Sequence, residues 1–176
     1  MAPKIVCLLT FDYELWLGRN FLPPEQVLIK PTREVLELCK KLNVAVTFFP
    51  DVCCAWTYRK YGFDSFVDSF EKQMMDAMSL GHDVELHLHP HWLNTTYENN
   101  QWLISTEKMY LHELGYGRGD DSANALISNG VSYLNNLLRP SKSDYRCRVF
   151  RAAGAALQPA EDKLIAALLE NGIEMD

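Results

Sequence analysis

Four of the five histidines lie within one short stretch, Gly-His-Asp-Val-Glu-Leu-His-Leu-His-Pro-His-Trp, as His82, His87, His89 and His91. If the segment is extended, alternation puts His87, His89 and His91 on one face. Full extension would separate the α-carbons of His87 and His91 by roughly 13 Å. Two nitrogens on one ion must approach to about 3–3.5 Å, since each metal–nitrogen bond is near 2 Å. The chain must therefore turn between them, and Pro90 sits where a strand could end and a turn begin. On this reading His87 at the strand end and His91 in the loop are metal ligands. The plainer alternative is a polar rim of histidines stacked on aromatic rings.

A metal held by two histidines commonly takes a carboxylate as third protein ligand and keeps one position open for water. Asp12 and Glu14, in Thr-Phe-Asp-Tyr-Glu, are the candidates. Their spacing of two points both to the same side of an extended chain. A carboxylate directly after a buried strand is costly unless it is paired or metal-bound. The alternative is that Asp12 caps the next turn and Glu14 is solvated. Arg151, in Val-Phe-Arg-Ala-Ala-Gly, is placed to pair with Asp12 and hold it ionised; otherwise it is a surface arginine near a helix start. Asp51 also follows a strand, where capping a helix is its expected job. Trp92, Tyr97, Trp102, Tyr110 and Tyr116 offer flat faces for sugar rings, or else form a hydrophobic cluster that pins the loop. His112 lies among them with no role assigned.

These residues must be held by strands alternating with helices. Residues 5–11 form a continuous apolar run, as a strand covered on both faces would be. A helix follows over 32–42, with Val35, Leu36, Cys39 and Leu42 at helical spacing. Residues 44–49 are β-branched and aromatic, a second buried strand ended by Pro50. Phe63, Phe66, Val67, Phe70, Met74 and Met78 make a helical stripe capped by Gly81. Residues 83–88 read as a third strand. Residues 90–121 are polar and aromatic with no clear period. Ser122 caps a helix to about Leu138, interrupted at Gly130. Residues 146–151 form a fourth strand. A helix opened by Pro159 closes at Asn171-Gly172, and residues 173–176 begin a fifth strand. The order predicts an α/β fold with a parallel sheet or barrel, either an incomplete barrel or a small open sheet. Asp12, His87 and Arg151 all fall at carboxyl ends of strands, where the active sites of such folds lie.

The length of 176 residues predicts one domain over 1–176, and 48% hydrophobic residues supply a core. No apolar run approaches the roughly 20 residues of a membrane span. The net charge of −6 disfavours nucleic acid as a partner. No signal peptide is evident at the start, and a cytoplasmic location is expected. The five cysteines are odd in number and include no C-x-x-C pair, so they read as buried free thiols.

Thr-Phe-Asp-Tyr-Glu, then Gly-His-Asp-Val-Glu-Leu-His-Leu-His-Pro-His, then Phe-Arg-Ala-Ala-Gly, resembles the polysaccharide deacetylase (NodB-homology) family in order and spacing through nearly the whole chain. The resemblance implies a distorted barrel of about seven β/α units, of which this chain would supply about four to five. It implies one divalent metal ion, usually zinc, and hydrolysis of N- or O-acetyl groups on a sugar or polysaccharide. Asp12 is then the general base, Arg151 its orienting partner, and His87 and His91 metal ligands. The family's usual second aspartate corresponds here to Tyr13. Branches with an Asp-x-Glu pattern point to Glu14 as third ligand. His89, Tyr13 and Trp92 would stand behind the ligands or beside substrate. The family's later motifs supply a leucine and a histidine, the latter a general acid. Nothing follows Asp176 in this sequence, so the chain is expected to lack them, to hydrolyse poorly alone, and to associate through an open barrel edge, for instance as a homo-oligomer. Two alternatives are an amidohydrolase for a small non-sugar amide and a non-catalytic metal- or carbohydrate-binding remnant.

Overall fold

The computed structural model describes residues 5–15, 22–117 and 119–176. Its strands are β1 (Thr10–Tyr13), β2 (Thr47–Pro50), β3 (Asp83–Val84), β4 (Leu86–Leu88), β5 (Thr96–Glu98), β6 (Gln101–Leu103) and β7 (Phe150–Ala152). Its helices are α1 (Lys30–Leu42), α2 (Val52–Lys60), α3 (Asp64–Ser79), α4 (Ala123–Leu138) and α5 (Glu161–Glu170). β1, β2 and β3 pair in parallel in that order, and β4 pairs in parallel with β7. A bridge between Asp51 and His87 links the two sets, and one between Val149 and Met175 starts a further parallel strand beside β7. This is a mixed α/β fold with no closed barrel among the described residues.

The third strand is broken where one was expected. Glu85 interrupts it, and its buried carboxylate accepts hydrogen bonds from the backbone amides of Arg148 and Val149, both at 2.9 Å. The chain thus leaves β2 after Val84 and takes up β7 from Leu86. The first strand also departs from expectation. Residues 5–9 lie outside β1, and Ile5, Val6, Leu8 and Leu9 are exposed. An apolar run is covered on both faces only where layers flank it, and the described residues supply β1 with one neighbour, β2.

α4 runs without a break through Gly130, contrary to the interruption read from the glycine. Its side is packed so closely on β4 that a Cβ at Gly130 would lie 2.8 Å from Leu86 Cδ1. Close packing, not a helix break, explains this glycine. Ser122 caps α4 as expected, its hydroxyl accepting from the Ala125 amide at 3.1 Å. α2 gives no amphipathic stripe because it is buried on nearly every side, at Val52, Cys53, Cys54, Ala55, Thr57 and Tyr58. The β5–β6 hairpin turns on Asn99 and Asn100, both at positive φ (50° and 61°). A two-residue turn of that hand suits the twist of paired strands. Of the cysteines, Cys39, Cys53, Cys54 and Cys147 are buried free thiols, and Cys7 is exposed. No helix among the described residues is long and apolar enough to cross a membrane.

Candidate metal centre

The carboxyl ends of β1, β2, β4 and β7 converge on one site. β1 and β2 are in register at Asp12 and Phe49, and β4 and β7 at His87 and Arg151. Glu14 follows β1, Asp51 follows β2, and His89 follows β4. Glu14, His87 and His89 each offer one donor atom, all within 4.8 Å of one another. Glu14 Oε2 lies 2.7 Å from His89 Nε2 and 3.5 Å from His87 Nε2. Both histidines are buried, and Glu14 is partly so.

The electrostatics favour the charged form of Glu14. Burial alone would raise the Glu14 pKa, but hydrogen bonds and charge from His87 and His89 outweigh it and bring it down to about 2. Burial alone would lower that of His87. Glu14, Asp51 and the Arg151 carbonyl outweigh it and raise it. His87 Nδ1 lies 2.7 Å from that carbonyl oxygen. When Nδ1 carries the proton, Nε2 is left as a lone pair facing Glu14. This is the arrangement a ligating histidine commonly has, with its second nitrogen bound to a carbonyl.

A carboxylate and two imidazole nitrogens are the donor chemistry of a hydrolytic zinc site. Ligands on one ion stand about 3–3.5 Å apart, and the separations of 2.7 and 3.5 Å bracket that range. The residues present therefore fit a divalent cation.

The two histidines exchange the places that the sequence gives them. His89, expected behind the ligands, has its ring in the donor set. His91, expected as a ligand, is outside it. The turn required after His87 comes only at Pro90–Asn94, a 3-10 segment. Alternation along the extended chain thus brings His89 to the same side as His87. The His91 ring is fully buried beside His89 and Trp92, and neither of its nitrogens has a hydrogen-bond partner. Burial, then the charge of His89, lowers its pKa to about 4, so the ring is neutral at physiological pH.

Arg151 pairs with Asp12 through Nη1, and its Nη2 donates to Thr10 Oγ1 at 2.7 Å. Its guanidinium lies 4.0 Å over the Phe49 ring. Tyr13 sits in the core rather than beside the site. It points to the opposite side of β1 from Asp12 and Glu14, packs against Phe48 and Phe70, and donates to Gln73 Oε1 at 2.8 Å. Trp92, Tyr97 and Trp102 form an aromatic cluster with Tyr58 and Phe63. These five, with Leu15, line part of a cavity of about 820 Å³. None of Asp12, Glu14, His87, His89 and Arg151 lines this cavity. Tyr110 instead stacks on His112.

Asp51 does more than the capping expected of it. Its Oδ1 accepts from the Cys53 amide at 3.1 Å, which caps α2, and also from the His89 amide at 3.0 Å. Its side chain is wholly buried, and Oδ2 has no hydrogen-bond partner. Burial raises its pKa to about 6, against lowering by His89 and His87.

No family model and no curated protein matches the chain. Among solved structures it is similar to a mutant of a CE4 family pseudoenzyme with restored enzymatic activity. The identity is 15% and the TM-score 0.50. The match covers 96% of this chain and 42% of the neighbour. The likeness is one of fold alone: the α/β arrangement of this chain resembles part of that neighbour.

Proposed function

We propose that this chain is a single domain built as part of a (β/α) barrel of the polysaccharide deacetylase type. In this reading it removes acetyl groups from an N- or O-acetylated sugar or polysaccharide. The convergence of Glu14, His87 and His89 beside the Asp12–Arg151 pair carries the reading. The motif resemblance and the related fold of the CE4 neighbour support it.

A divalent ion, zinc by the donor chemistry, supplies Lewis acidity toward an acyl carbonyl and lowers the pKa of bound water when it is held there. The chain's own residues do the rest. His87 presents Nε2 because the Arg151 carbonyl fixes Nδ1. Asp12, oriented by the Arg151 guanidinium, accepts the proton of the attacking water. Thr10 holds the second guanidinium nitrogen, so that Arg151 keeps one orientation.

The structural neighbour is described as a pseudoenzyme, so metal uptake and turnover are separate readouts. The test is acetate release from N- and O-acetylated oligosaccharides, with zinc and with chelator, by the wild type and Asp12→Ala. The reading expects zinc-dependent acetate release by the wild type. It expects Asp12→Ala to keep the zinc and lose about 10²–10⁴-fold in rate. Release that ignores chelator and Asp12→Ala alike would overturn it.

A further inference from the structure

A helix cap needs one acceptor oxygen, and a neutral side chain supplies it, as Ser122 does for α4. At the start of α2 the chain instead has an aspartate with 0% exposure and one oxygen without a partner. Burying a carboxylate in that state is costly unless its charge or its second contact serves something. Capping alone does not account for Asp51.

What surrounds Asp51 does. The Asp51 amide donates to the Tyr13 carbonyl at 3.1 Å, just before Glu14. Its main chain bridges to His87. Its Oδ1 takes the His89 amide at 3.0 Å. One residue thus touches the chain segments that deliver all three donors. It also lies close enough to both imidazoles to interact with them electrostatically. Asp51 does not itself belong to the donor group, so it acts through the histidines.

We infer that Asp51 is a positioning residue for the Glu14–His87–His89 site: it fixes the main chain of His89 and supplies negative charge behind the two imidazoles, so that the site favours a divalent cation. This role rests on the metal reading above. Groups that stand behind metal ligands in this way typically change metal affinity by about 10–100-fold when removed.

The test uses the intact chain with zinc and cobalt(II) as probes. Zinc affinity is read by competition with a chromophoric chelator, the visible absorption of the cobalt(II) form reports ligand geometry, and melting in chelator reports folding. Asp51→Asn keeps the shape and an acceptor oxygen but removes the charge. It is expected to melt cooperatively, bind zinc about 10–100-fold more weakly than the wild type, and shift the cobalt(II) bands. Asp51→Ser keeps a capping oxygen, as at Ser122, and carries the same comparison if Asp51→Asn does not fold. A folded variant with wild-type zinc affinity and an unchanged cobalt(II) spectrum would leave Asp51 as a cap only and overturn the inference. A wild type that takes up neither ion overturns the metal reading, and this role with it.

Discussion

His87 and Arg151 stand opposite each other in the parallel β4–β7 pair, with His87 Nδ1 2.7 Å from the Arg151 carbonyl oxygen. The same arginine turns its guanidinium to Asp12 and Thr10. One residue therefore contacts the proposed ligand His87 with its main chain and the proposed base Asp12 with its side chain. The first contact survives any side-chain substitution at position 151, and the second does not.

Arg151→Ala is accordingly expected to keep its metal and to lose about 10–100-fold in acetate release. The ion pair is partly solvated, with side-chain exposures of 31% and 40%. Stability should change by no more than about 1 kcal/mol. Zinc content, initial rates and a urea titration check the three parts. Loss of zinc in Arg151→Ala would contradict the division of labour between main chain and side chain.

His91 gives a pH dependence of stability to the metal-free protein. Its folded pKa of about 4 lies below the ordinary 6.5. Between those values the unfolded chain binds a proton that the folded chain refuses. The His91 contribution is therefore fully present above about 6.5, falls as pH drops, and is lost near 4. At about 1.4 kcal/mol per pKa unit the whole swing is at most about 3–4 kcal/mol. Asp51 opposes it, because its folded pKa of about 6 lies above the ordinary 3.8. Protonation then favours the folded state as pH falls from 6. Burial lowers the His82 pKa as well, so in His91→Phe the acid-side loss in chelator between pH 6.5 and 4 should shrink, leaving the His82 part. A loss in this window equal to that of the wild type would refute the assignment.

Gly130→Ala tests how β4 is held. An exposed helical site would gain about 1 kcal/mol from this change. Here the new methyl meets the wholly buried Leu86. Overpacking of that kind costs about 1–3 kcal/mol, and chemical denaturation should show a net loss. A gain in stability would mean that α4 and β4 are packed less closely than described.

The order of strands and helices was legible because buried strands and amphipathic helices leave patterns of different period. α1 and α3 follow from their apolar stripes, and α4 from the Ser122 cap. The same logic is blind to α2, which is buried nearly all round. Glu85 was illegible as a break because its partners, the amides of Arg148 and Val149, lie more than sixty positions away. At the site, the motifs and strand ends pointed to Asp12, Glu14, His87 and Arg151. Which of His89 and His91 joins them depends on where the chain turns after β4. Spacing alone does not set that turn. Asp51 looked like an ordinary cap because its second contact, the His89 amide, comes from a distant segment.

The central claim is the identity of the donor set, and metal content per chain in wild type, His87→Ala, His89→Ala and His91→Ala measures it most directly. One zinc ion per chain is expected in the wild type and in His91→Ala, and none in His87→Ala or His89→Ala. Zinc retained by His89→Ala and lost from His91→Ala would contradict this donor set and place the ion where the family resemblance has it. A wild type without zinc, even after zinc is added, would contradict the account as a whole.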